Sequence, residues 1–181
     1  MSSSAGAHES APAVSAPRST SERESAVWRV LESVPDPEIP ILTIVDLGIV
    51  RHVRWDADGE LHVALTPTYS GCPATDVIRS SVKRALSCAG YANAIVDSVL
   101  SPPWTSDWLS EEGRRKLVAY GIAPPAESVE NPRRLFGSPL VACPRCGSDA
   151  TERVSEFGST PCKAHYRCTD CLEPFDYFKC I

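Results

Sequence analysis

Four cysteines near the end of the sequence constrain this chain more than any other feature. They stand as Cys143-Pro144-Arg145-Cys146 and Cys168-Thr169-Asp170-Cys171, two C-x2-C pairs separated by twenty-one residues. A two-residue spacer lets a tight turn aim both sulfurs at one point, and Gly147 relieves the backbone just after the first turn. Two such knuckles complete a tetrahedral set of four thiolates, with a length between them that suits a short β-ribbon. A closed set with no open position favours a structural zinc ion, although ligand type alone also admits mononuclear iron or an iron–sulfur cluster. Residues 140–181 are too few to be stable on their own core, so the metal is expected to do much of the folding.

The chain holds eight cysteines in 181 residues. In a secreted protein that would suggest disulfides, but the first twenty residues contain one Lys or Arg, Arg18, and no apolar stretch of a signal peptide. A reducing, cytoplasmic setting is therefore expected, where cysteine clusters point to metal or redox chemistry. No apolar run approaches the roughly 18–20 residues that cross a bilayer. The net charge of −5 argues against electrostatic capture of nucleic acid or of an anionic membrane. From Leu140 onward five Lys and Arg face six Asp and Glu, and four thiolates outweigh a divalent ion. That sign is wrong for phosphate, so the ribbon is expected to contact protein. Phe175, Tyr177 and Phe178 are available for such a contact or for the ribbon's own small core.

Ahead of the ribbon the pattern predicts an α+β domain over residues 21–122. Residues 1–20, rich in Ser, Ala and Pro, read as a disordered tail. Val27, Val30, Leu31 and Val34 give a helix stripe that Pro35 and Pro37 end. Ile49 to Trp55 and Leu61 to Leu65 read as a hairpin, with Ile49, Val53 and Trp55 on one face. Ala74, Val77, Ile78, Val82, Ala85 and Leu86 predict a second helix with Pro73 at its first position. Ile95 to Leu100 predicts a third strand, and Ser110 to Tyr120 a helix capped by Gly121. The order is α-β-β-α-β-α. The proline-rich stretch 123–139 reads as a linker to the ribbon at 140–181.

A second place with chemistry is Thr66-Pro67-Thr68-Tyr69-Ser70-Gly71-Cys72-Pro73. Cys72 falls where a strand ends and a helix begins, a setting whose free N–H groups favour a thiolate. It is a candidate metal ligand or nucleophile, or else a small capping residue. Asp36, Glu38 and Asp46 are either carboxylates for the fold to bring to it or turn residues. In the ribbon, Cys162 and Cys180 are surplus to four ligands. They read either as buried small hydrophobes or as thiols that approach each other to bind metal or exchange disulfides. His165 reads as a packed or exposed polar residue, and Cys88 as structural.

Val34-Pro35-Asp36-Pro37-Glu38-Ile39-Pro40, Val45-Asp46-Leu47-Gly48-Ile49-Val50 and Thr66 to Pro73 together resemble the metal–sulfur cluster assembly factor family, over roughly Ala26 to Leu100. The usual Thr-Leu-Thr run of that family reads Thr66-Pro67-Thr68 here. The resemblance implies that Cys72 is the reactive or cluster-associated thiol, with Asp36, Glu38 and Thr68 as candidate supporting residues. With the ribbon attached, Ser155 to Thr160 and Cys171 to Cys180 resemble the members that accompany a multicomponent di-iron monooxygenase, the phenylacetyl-CoA epoxidase. This implies an accessory, non-catalytic role, with a transient iron–sulfur cluster as cargo. The client would be the epoxidase reductase or another oxygenase subunit. Ligands shared across a homodimer are a further expectation, because one cysteine is few for a cluster. Two alternatives stand beside this reading: a structural subunit of the oxygenase complex, and a thiol-redox protein using Cys162 and Cys180. The chain has no Glu-x-x-His pair for a di-iron site and no Rossmann glycine fingerprint.

Overall fold

A computed structural model describes residues 20–69, 71–125 and 141–179. The predicted tail, nearly all of the predicted linker, and Cys180 lie outside the described residues.

The first helix, α1 (Thr20–Leu31), ends before the proline-rich turn, so Val34 packs from the turn rather than from the helix. Strands β1 (Val50–Trp55) and β2 (Leu61–Leu65) form an antiparallel hairpin with an irregular register between Val50 and His52. That irregularity puts Val50 beside Val53 on the buried face of β1, while the predicted Ile49 is buried just ahead of the strand and Trp55 packs partly buried against the core. Helix α2 (Ala74–Cys88) crosses over to β3 (Ile95–Ser98), which pairs parallel to β2. A 3-10 turn (Ser106–Trp108) precedes α3 (Glu111–Tyr120). Ser110 caps α3 by accepting from Gly113 N at 2.9 Å, and Gly121 ends it in the left-handed conformation at φ 86°. The predicted order of elements is the observed one. Val77 departs from the predicted apolar stripe: it is solvent-exposed, while Ala74, Ile78, Val82 and Leu86 are buried.

The larger difference lies after α3. Ala123, predicted to open the linker, and Ile122, predicted to close the domain, form a short strand β4 that pairs parallel to the last strand of the ribbon. With β5 (Thr151–Ser155), β6 (Lys163–Cys168) and β7 (Pro174–Phe178) it makes one sheet in the order β4-β7-β6-β5. The ribbon therefore packs on the first domain. Phe178 and Cys162 belong to the same apolar core as Val27, Leu31, Leu47, Ile78 and Trp104. Phe178 is 1% exposed and meets the Trp104 ring edge-on at 6.1 Å between centroids. Trp104 in turn donates its indole N–H to Leu47 O at 2.8 Å. Phe175, Tyr177 and Tyr166 make the ribbon's own cluster with Cys143 and Cys168. So the three C-terminal aromatics are divided, two for the ribbon and one for the domain.

Gly48, in the Val45–Val50 motif, has φ +65°, and a Cβ there would collide with the carbonyl of Trp108. Only glycine meets both demands. The turn that follows α1 is thereby held tightly against the segment leading into α3.

Candidate functional site

Cys72 lies in a small pocket whose apolar floor includes Leu47 and Ile49 and whose remaining lining comes from four further stretches of sequence. The first is the proline-rich turn. Asp36 Oδ1 accepts from the backbone N–H of Glu38 at 2.9 Å and of Ile39 at 2.8 Å, which orders a segment that its prolines bar from a ladder. The second is the exit of β2, where Thr66 N donates to Ile49 O at 2.8 Å and Pro67 and Thr68 line the wall. Gly71, at φ +86°, then turns the chain so that Cys72 sits one residue before Pro73, at the mouth of α2. Helix α2 contributes Thr75 and Ile78 as the third stretch. The fourth comes from the ribbon: Cys162 and Phe178 close the far side. The space enclosed is about 20 Å³, room for roughly one water molecule.

The pocket is mostly apolar, and its polar side chains are two carboxylates, two thiols and the hydroxyls of Thr68 and Thr75. Burial pushes the Asp36 carboxyl above its usual range, in spite of the two backbone donors and the Lys163 charge that favour its anion. Cys162 is 4% exposed; its thiol donates to Glu38 Oε2 at 3.7 Å and lies 3.1 Å from Thr160 Oγ1. Burial raises its pKa to about 11, and the charges of Glu38 and Asp36 act in the same direction. The Tyr69 hydroxyl is sealed from solvent without a hydrogen bond of good geometry among the described residues. Burial and then the neighbouring Cys72 thiol push it up to about 12, with smaller contributions from Glu38 and Cys162. A cavity of this kind is short of positive charge. Lys163, the cation felt at Asp36, is itself tied to Asp176 at 3.4 Å.

The four-cysteine centre is a separate place. Cys143 and Cys171 have sulfurs 3.7 Å apart, Cys146 and Cys168 3.6 Å, and all four sulfurs lie within 4.8 Å of one another. A zinc ion with tetrahedral bonds of about 2.3 Å sets its sulfurs about 3.8 Å apart, so the residues fit such an ion. The knuckles are built as their spacing predicts. Gly147 takes φ +76° and donates to Cys143 O at 2.8 Å, and the Cys171 N–H points at Cys168 Sγ at 3.5 Å. That N–H, with the Asp170 N–H, holds the Cys168 thiol down at about 7. Cys146 goes the other way. Although the Ser148 N–H favours its thiolate, the Cys171 thiol, burial and the two remaining thiols push it up to about 12. Four crowded thiols cannot all ionise without a cation to offset the charge. Across the two knuckles, Arg145 pairs with Glu173 and Ser148 bonds to Asp170.

Of the other residues singled out in the sequence, Asp46 is not at the pocket. Its carboxylate takes Lys116 Nζ at 2.6 Å and the Thr43 N–H at 2.9 Å. It fixes α3 to the motif that precedes β1. His165 lies 3.4 Å from Asp176 Oδ1 and away from the four cysteines' sulfurs. Cys88 is exposed at the end of α2, contrary to its structural reading. Asp56, Glu60 and His62 also bring three ligand-type atoms within 4.8 Å. A turn accounts for them: Asp56 Oδ1 accepts from Asp58 N and Glu60 N, and Asp56 Oδ2 meets His62 Nε2 at 3.0 Å. Sequence position alone pairs Cys162 with Cys180. Cys180 lies outside the described residues; Cys162 faces Glu38 of the first domain, and no spacing in the sequence signals that meeting.

Comparison with known proteins follows the same two-part division. Residues 24–96 match the family model of an iron–sulfur cluster assembly protein, and residues 128–179 match the PaaD zinc β-ribbon domain. An Escherichia coli K12 protein provisionally named as a component of 1,2-phenylacetyl-CoA epoxidase is 48% identical over 155 residues, covering 86% of this chain and 92% of that one. The Fe-S protein maturation auxiliary factor YitW of Bacillus subtilis is 40% identical over 97 residues, 53% of this chain and 91% of that one. Among solved structures, a domain of unknown function, DUF59, from Bacillus anthracis superposes with a TM-score of 0.50 at 34% identity, over 54% of this chain and 93% of that one. Two matched domains in the order found here, and near-half identity across most of the length, place the chain in the iron–sulfur cluster assembly protein family, in the branch that ends in the PaaD zinc β-ribbon.

Proposed function

We propose that this chain is a non-catalytic maturation factor that carries iron or an iron–sulfur cluster to a subunit of a phenylacetyl-CoA epoxidase, and that Cys72 is its cargo-handling residue. The observation that carries the reading is the pocket itself. A thiol at the mouth of α2 is set beside two carboxylates, Asp36 and Glu38, in a space too small for an organic substrate. Such a site is suited to a thiophilic cation rather than to phenylacetyl-CoA. The names of the relatives support the same class: one is a maturation auxiliary factor, and the other is named as an epoxidase component.

Within this reading the residues divide the work. Cys72 provides the sulfur ligand. Asp36, held by two backbone N–H groups, fixes the turn that carries Glu38. Thr68 lines the pocket between the end of β2 and Cys72. Cys143, Cys146, Cys168 and Cys171 hold a zinc ion that ties the two knuckles together. The client in this reading is the epoxidase reductase, whose iron–sulfur cluster is the chemistry such a carrier serves. No helix among the described residues is long and apolar enough to cross a membrane.

The test is Cys72→Ala expressed at wild-type level in cells that lack the native chain. Loss of epoxidase activity together with a cluster-depleted reductase is expected. Full activity with a fully loaded reductase would sink the reading.

A further inference from the structure

Cys162 takes no part in the four-cysteine centre, and its nearest described partners come from both sides of the domain boundary. Its thiol points at Glu38 Oε2 of the first domain, while Thr160 of the ribbon flanks it. It forms a wall of the pocket that Cys72 opens onto. Its position is fixed by structure rather than left to a mobile loop. Cys162 O accepts from Lys179 N at 2.9 Å, just past β7, and Lys163 N donates to Thr160 O at 3.0 Å. Its place in the joint core calls for a small hydrophobe there, but not for a thiol aimed at a carboxylate across the cavity. As a ligand it contributes a great deal, because one thiolate is few for iron and a second makes a chelate.

We propose that Cys162 supplies a second thiolate to the cargo held at Cys72, so that iron, alone or within an iron–sulfur cluster, is bound between the ribbon and the assembly domain. This rests on the carrier reading above and adds a ligand to it. Binding forms the Cys162 sulfur–iron bond and converts the thiol to a thiolate; the proton is released to solvent, and the cation offsets the new negative charge. No three of these donors lie within 4.8 Å of one another among the described residues, so the cargo draws the turn and the ribbon inward as it binds. The ribbon on this account is part of the cargo site as well as a folded module beside it. Room for about one water suits a single iron ion more closely than a cluster, so the two forms are to be loaded separately.

The experiment uses the full chain with its ribbon zinc in place, under anaerobic conditions, loaded in one arm with ferrous iron and in the other with ferrous iron and sulfide. Cys162→Ala and Cys162→Ser are compared with wild type for iron bound, sulfide bound, thiolate-to-iron charge-transfer absorption, and the rate of iron loss to a chelator. The serine variant keeps the side chain's size, and an unchanged zinc content shows that the ribbon is folded. Both variants are expected to lose iron at least about tenfold faster than wild type in one arm or both, with weakened charge-transfer absorption. Wild-type spectra and release rates in both folded variants would overturn the inference, as would a wild-type chain that takes up no iron in either arm. The reductase loading of Cys72→Ala cells decides the carrier reading independently.

Discussion

The chain has two cysteine sites, and they are made in opposite ways. The four-cysteine centre is converged: each knuckle is a four-residue turn, and sulfurs of one knuckle stand 3.6–3.7 Å from sulfurs of the other. The Cys72 pocket is assembled from residues near 36–39, 47–49, 65–78, 162 and 178. Its donors are not drawn together, and its walls are largely apolar. A site whose ligands are saturated and converged is built to keep its ion, whereas one with few, spread donors is built to give its ion up. In the proposed function, that contrast separates a fold-holding metal from the cargo. The shared core shows that the two sites are nevertheless mechanically joined, through Phe178 and Cys162.

Breaking the closed centre is the largest perturbation. Cys168→Ala, or zinc removal by a strong chelator, is expected to forfeit of order 10 kcal/mol of metal-linked folding energy in the ribbon. Because Phe178 and Cys162 complete the assembly domain's core, the melting temperature of that domain falls too. Thermal unfolding followed by circular dichroism checks both, and an unshifted assembly-domain transition would show the two regions to be independent. Next, Phe178→Ala is expected to cost about 3–5 kcal/mol by denaturant titration. Its exposure of 1% and its contact with Trp104 place that loss in the joint core rather than in the ribbon alone.

The assembly domain's elements are legible in the sequence because each rests on a local signal: helix stripes, a turn at Asp56–Gly59, Ser110 and Gly121 as caps. The knuckles are legible for the same reason. Residues 122 and 123 escape such a reading because a two-residue strand has no periodicity, and its pairing with β7 is set by tertiary contact. Val77 misleads because apolar spacing marks a stripe without fixing its edges. The contact of Cys162 with Glu38 is not legible because the two residues are more than a hundred positions apart. Asp36 and Glu38 of the first motif line the pocket, and Asp46 of the second does not.

Those three carboxylates sharpen the comparison further. Burial holds the Asp36 carboxyl above its ordinary pKa, so its ionised form opposes folding. The penalty is absent below the unfolded pKa near 3.8 and is complete above the raised folded value. Asp36→Asn leaves an oxygen for the Glu38 and Ile39 N–H groups and is expected to raise the melting temperature at neutral pH while lowering iron uptake. A variant both less stable and fully loaded would remove Asp36 from the site. Asp46 behaves in the opposite sense. Burial acts against its anion, but Lys116 and Thr43 hold its pKa below 3.8. Its contribution is therefore present above that value and lost as pH falls through the lower folded one. Asp46→Asn is expected to cost about 1 kcal/mol or less, since Lys116 is partly exposed, and to leave iron uptake unchanged. Stability curves at pH 7 and in acid, beside iron analysis, distinguish the two residues.

The central claim is that the pocket delivers its cargo to another protein, and the most direct measurement is transfer itself. The chain loaded anaerobically with iron and sulfide is mixed with cluster-free reductase, and the two are separated before iron, sulfide and reductase activity are measured. The account predicts that cluster and activity appear in the reductase faster than from free iron and sulfide at equal concentration, and that chain carrying Cys72→Ala gives no such acceleration. Equal rates from the loaded chain, the variant and the free ions would contradict it.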